Sequence, residues 1–167
     1  MRKPPSKFQK EEYDKENDWA IQIVSSFLIA LGYSIIDKGE DYNVDIHAHK
    51  NNKHLLIEAE VKKLYPWEDR NSFKFDTVSF LGRKKKWAKG EGFWYFIVCR
   101  ENKNLLFAHS SQIFKEENNE KIYVNSTRRL GVDTFYRLNK NEVWFAKNIK
   151  DFDYQIVDRP DQSPLSI

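Results

Sequence analysis

Three residues combine types and spacing that can do chemistry together: Asp45, Glu60 and Lys62. Glu60 and Lys62 stand two apart in the alternating segment 55–62, so on an extended chain their side chains share a face. Asp45 lies in a second alternating segment, 44–49, and Asn51-Asn52-Lys53 between the two reads as a hairpin turn. Pairing of these strands brings Asp45 towards Glu60 across the hairpin. Two carboxylates and the backbone carbonyl of Val61 then converge. Hard oxygen donors of this kind suit Mg²⁺, with Mn²⁺ as a substitute. Such an ion acidifies a bound water and offsets charge on a phosphate. Lys62 beside it orients or deprotonates that water, or stabilises the transition state. The chemistry is that of phosphodiester hydrolysis.

Simpler readings compete. A Glu-x-Lys on a strand can be a solvated face with a cross-strand ion pair. Glu58 shares the face of Glu60, and the surface is the role favoured for it over a place near the metal. His47 and His49 share the face of Asp45, a pattern that can hold zinc, but no further Cys or His follows at suitable spacing.

The elements that must position these groups are readable in outline. Residues 11–31 form a helix whose Trp19, Ala20, Ile23, Val24, Phe27, Leu28 and Leu31 make one apolar stripe. Acidic residues load its start and Gly32 caps its end. Residues 33–37 are a short strand, followed by a polar turn at 38–41. Residues 64–75 read as a loop across the site mouth, with Trp67, Phe73 and Phe75 as candidates for exposed contacts. Residues 77–89 read as a second helix, basic in its second half and ending at Gly90. The apolar run 93–100 is a central strand buried on both faces. Strands follow at 105–109 and 122–124, with short apolar segments at 134–138 and 143–145.

A chain of 167 residues with 40% hydrophobic and 32% charged residues suits one globular, soluble domain. The expected organisation is a flexible basic arm at 1–10, a single domain at 11–157 and a loose tail at 158–167. No apolar run reaches the roughly 18 residues of a membrane span, and no membrane partner is expected. The single cysteine, Cys99, excludes an intrachain disulfide and suggests a cytoplasmic setting. The net charge of +3 permits nucleic-acid binding without requiring it. The local concentration in Arg83-Lys84-Lys85-Lys86, with Lys89, is more informative, although such a run is often a solvated helix face. Arg128-Arg129 is a smaller basic spot.

The order helix, strand, Asp-bearing strand, Glu-x-Lys strand, helix, strand resembles the core of the PD-(D/E)xK nuclease superfamily, which includes restriction endonucleases and Holliday-junction resolvases. The resemblance covers roughly residues 15–100 and rests on Asp45 in Tyr42-Asn43-Val44-Asp45-Ile46, then Glu60-Val61-Lys62 after fourteen intervening residues. It implies an α/β fold, a restriction-endonuclease-like αβββαβ core with a central mixed sheet flanked by helices. It implies Asp45 and Glu60 as metal ligands and Lys62 as the catalytic lysine. Val44 stands where a Pro often precedes the first Asp. Many members also place an acid on the first helix. That register falls on Ile21, next to Gln22, so Asp18 is the substitute and Glu16 the next choice.

The resemblance implies a Mg²⁺-dependent endonuclease acting on DNA, double-stranded or branched, with Arg83, Lys84, Lys85 and Lys86 touching phosphates. A homodimer is one arrangement it suggests, since many members work in pairs. The other function class is a binding module that keeps a nuclease-like fold and has lost catalysis.

Overall fold

The computed structural model describes residues 10–36, 44–63, 65–125, 130–160 and 167. The arm at 1–9, the polar turn at 38–41, Arg128-Arg129 and the tail at 161–166 lie outside the described residues.

In chain order the elements are helix α1 (Lys10–Ala30), strands β1 (Ser34–Ile36), β2 (Ile46–Lys50), β3 (Lys53–Lys62) and β4 (Thr77–Leu81), and a 3-10 turn (Gly82–Trp87). Then come β5 (Trp94–Cys99), β6 (Leu105–His109), the one-turn α2 (Ser110–Ile113), β7 (Asn119–Asn125), β8 (Leu130–Asn139), β9 (Trp144–Lys150) and β10 (Asp153–Asp158). Seven strands make one sheet in the order β1-β2-β3-β5-β6-β9-β10, which curls into a half-barrel, and three make a second in the order β4-β8-β7.

The expected α/β class is overturned. The molecule is mostly β, and its curled seven-stranded sheet is not a restriction-endonuclease-like core. The second helix expected at 77–89 does not form. Its first half is strand β4, which hydrogen-bonds to β8 from Thr77↔Asn139 to Leu81↔Phe135. The burial of Val78 and Phe80 follows period two. Its basic half is the 3-10 turn, in which no residue is buried. The crossover from β3 to its parallel neighbour β5 therefore runs through a strand of the other sheet instead of a covering helix.

Helix α1 follows its apolar stripe. Ala20, Ile23, Val24, Phe27 and Leu28 are at most 2% exposed. They pack on one face of the large sheet with Ile57, Ala59, Phe96 and Phe107. The helix stops at a Schellman turn: Tyr33 N–H donates to Leu28 O at 3.0 Å and Gly32 N–H to Ile29 O at 2.9 Å. Gly32 takes φ +94°, a conformation that costs a side-chain-bearing residue energy.

The other face of the large sheet packs on the small one. Tyr95, Ile97 and Cys99 from β5 meet Val78 and Phe80 from β4 and Tyr136 and Leu138 from β8. All six residues of β5 are buried, its alternate side chains facing the two cores. The segment after β3 is also part of this core. Trp67 and Phe73, expected as exposed contacts, are 1% and 3% exposed, while Phe75 is exposed. The start of the expected tail is held: Arg70 N–H donates to Asp158 Oδ2 at 2.8 Å and its guanidinium to Arg159 O at 3.0 Å.

Candidate active site

Strand β3 separates its roles by parity. Leu55, Ile57 and Ala59 face α1, leaving Leu56, Glu58, Glu60 and Lys62 on the face towards the small sheet. The antiparallel register with β2 runs from Lys50↔Lys53 to Ile46↔Ile57, so Asp45 enters just where that ladder ends. There its side chain extends the pairing: Ala59 N–H donates to Asp45 Oδ2 at 2.9 Å. This bond fixes the carboxylate at the β3 position next to Glu60.

Parallel pairing of β3 with β5 supplies the next contact. Tyr95, opposite Glu58 in register, donates its hydroxyl hydrogen bond to Glu60 Oε2. Burial, then the Glu60 charge, pushes the Tyr95 phenol well above its ordinary range, so it stays a donor. Glu60 is half-buried. Lys62, one pleat further, is half-buried as well. Burial lowers its ammonium pKa, and the Glu60 charge opposes that shift.

Glu58 is not at the surface. It is 2% exposed and pairs with Lys84 Nζ at 3.0 Å. Burial pushes its carboxyl up to about 8, the hydrogen bond and charge of Asp45 push the same way, and Lys84 opposes them. Two neighbouring carboxyl groups and one ammonium thus meet here, with Glu58 the most deeply buried of the three.

Asp45, Ala59, Glu60 and Val61 line one cleft of about 230 Å³ together with Glu16, Asn17, Leu81, Arg83 and Lys84. All three layers contribute to it. The helix sends Glu16, which also pairs with Lys63 at 2.9 Å. Asp18 is exposed and is not part of the lining, because two residues along a helix point to nearly opposite sides. The basic run divides likewise. Arg83 and Lys84 reach the cleft, whereas Lys85 pairs with Glu116 at 3.0 Å and Lys86 lies 4.8 Å over the Trp87 ring.

No protein-family model matches the chain. No curated protein matches it either.

Among the described residues, no three His, Cys, Asp or Glu side chains gather as a metal-holding group. The set considered for Mg²⁺ is of another kind: two carboxylates, Asp45 and Glu60, and one backbone carbonyl, at Val61. All three residues edge the same cleft and offer hard oxygen. Mg²⁺ keeps several waters and does not require a protein-only cage, so the donor set fits it. His47 instead lies beside His54, the two rings tilted with centroids 5.5 Å apart.

The alternation of β3 made Glu60 and Lys62 visible in sequence. Two participants were not. Tyr95 lies in an unbroken apolar run that reads only as core, and its contact depends on a parallel pairing no local signal reports. Glu58 carries the right parity, but its partner Lys84 comes from 26 positions away on the 3-10 turn.

Proposed function

We propose that the cleft is the active site of a metal-dependent nuclease that hydrolyses phosphodiester bonds in DNA, double-stranded or branched, with Asp45, Glu60 and Lys62 in the roles of the PD-(D/E)xK motif on a different fold. The observation that carries this reading is the meeting of Asp45, Glu60 and Val61 in one cleft, with Arg83 and Lys84 on its wall. Asp45 and Glu60, with the Val61 carbonyl, are the groups that would hold Mg²⁺ or Mn²⁺. Bound there, the ion would acidify a water and offset charge on the phosphate.

The chain's own residues do the rest. Ala59 N–H and the Tyr95 hydroxyl fix the two carboxylates, so little reorganisation is left for the moment of reaction. Lys62, half-buried one pleat beyond Glu60 on the same face of β3, is the group that would orient or deprotonate the attacking water, and burial lowers its ammonium pKa in the direction that role needs. Arg83, exposed on the cleft wall, offers a planar fork to phosphate oxygens.

The test is a cleavage screen with Mg²⁺ and Mn²⁺ on linear, nicked, branched and single-stranded DNA. Asp45→Ala and Lys62→Ala are each expected to lower cleavage by about a hundredfold or more while leaving the circular-dichroism spectrum unchanged. Full activity in either folded variant overturns the assignment. Salt-sensitive DNA binding by the wild-type chain, with no cleavage and no heat on titration with Mn²⁺, would instead mark a binding module that has lost catalysis.

A further inference from the structure

The 3-10 turn that carries Arg83 and Lys84 buries none of its own residues. Its Trp87 packs half-buried against the core between the sheets, and three further anchors place the rest of the turn. One is Gly82 against β8, where an added Cβ would come 2.5 Å from Thr134 O. Another is Lys85, which reaches Glu116 and the Tyr136 hydroxyl at 3.0 and 3.3 Å. The third is the Lys84–Glu58 pair, which joins a residue of the cleft wall to a carboxyl group with 3% of its side chain exposed.

An unrestrained lysine visits many rotamers and meets a phosphate as a mobile point charge. Lys84 is not unrestrained. Its ammonium gives a hydrogen bond to Glu58 at 3.0 Å and keeps further N–H donors for the cleft. Its side chain remains 25% exposed, enough to meet a ligand from solvent. A pair serving only to hold the turn down would need no exposure on the cleft side.

We propose that Glu58 is a positioning residue for Lys84, holding its ammonium at the cleft wall where it takes a non-bridging oxygen of a bound phosphodiester. The inference rests on the reading of the cleft as a phosphodiester site. Glu58 itself touches neither substrate nor metal; its effect on DNA binding without metal runs through Lys84, and its contact with Asp45 is kept out of the readout by EDTA.

The experiment measures binding of a short fluorescent DNA duplex, in EDTA, across a potassium chloride series. The proteins are the wild type, E58Q, K84M and the double variant E58Q/K84M. K84M is expected to weaken binding about tenfold and to reduce the slope of log K against log salt by about 0.9, the value of one lost phosphate contact. E58Q should shift both quantities in the same direction by less. The double variant should bind as K84M does, because Glu58 has nothing left to position. It strands no buried charge, so it tests the point even where E58Q folds poorly. Wild-type binding by folded E58Q, or a double variant weaker than K84M by a further independent factor, overturns the inference alone. A wild-type chain that neither binds the duplex in EDTA nor cuts it with Mg²⁺ overturns the reading of the cleft, and the inference with it.

Discussion

At the scale of single residues, the cleft depends on hydrogen bonds that fix its carboxylates, and Tyr95 is the clearest case. The residue is fully buried, its ring centroid 4.9 Å from that of Phe80, and its hydroxyl donates to Glu60. Tyr95→Phe keeps the ring packing and removes one donor. Because Glu60 is half-buried, water can partly replace that donor, so the expected loss of stability is about 1 kcal/mol. Under the nuclease reading, the effect on metal binding should be larger for its size. Groups that orient a ligand carboxylate typically change metal affinity by about 10-fold or more. Calorimetric titration with Mn²⁺ should show the loss, and an unchanged affinity in Tyr95→Phe would remove the hydroxyl from the site. The Tyr95 contact also marks the limit of sequence reading at this scale. Glu60 and Lys62 were legible because polar residues interrupt an apolar alternation. Tyr95 sits among Phe93, Trp94, Phe96 and Ile97, where nothing distinguishes one side from the other.

At the scale of elements, α1 and the hairpin of β2 and β3 follow local signals. The helix has a 3.6-residue stripe and a capping glycine, and the hairpin has two alternating runs about a polar turn. The segment 77–89 misleads because Arg83, Lys84, Lys85 and Lys86 are good helix formers. The preference that prevails is the pairing of Thr77–Leu81 with residues 135–139, more than fifty positions away, which no window of neighbouring residues reports. Once β4 is a strand, Gly82 becomes the hinge of the site. Any side chain there would press on the Thr134 carbonyl and Cβ, at 2.5 and 3.0 Å from the added carbon, and backbone cannot step aside cheaply. Gly82→Ala should therefore cost roughly 1–3 kcal/mol, as overpacking does. It should also move the turn that holds Arg83 and Lys84, so under the nuclease reading DNA binding should weaken in protein that is still folded. Thermal melting and duplex binding measured on the same samples check both parts. Wild-type binding with a lowered melting temperature would show that the turn is held independently of Gly82.

At the scale of the whole molecule, the cleft lies where three layers meet. Helix α1 contributes Glu16, the large sheet Asp45 and Glu60, and the crossover through the small sheet Leu81, Arg83 and Lys84. Each layer is fixed by its own core, so the site is assembled by packing the two faces of β3 and β5 at once. This geometry also bears on how a duplex would be cut. The cleft is lined by one Asp45 and one Glu60, with Lys62 one pleat beyond its lining, a single set that under the nuclease reading serves one phosphodiester at a time. Under the nuclease reading, a single chain meeting a duplex therefore hydrolyses one strand and must rebind or recruit a second chain to cut the other. Supercoiled plasmid should accumulate first as nicked circles, at a rate proportional to protein concentration. Linear product should follow later and rise more steeply with concentration where two chains cooperate. Gel analysis of a time course over a range of protein concentrations measures this directly. Linear DNA appearing without a nicked precursor, at a rate first order in protein, would mean that two clefts already act together in a stable dimer.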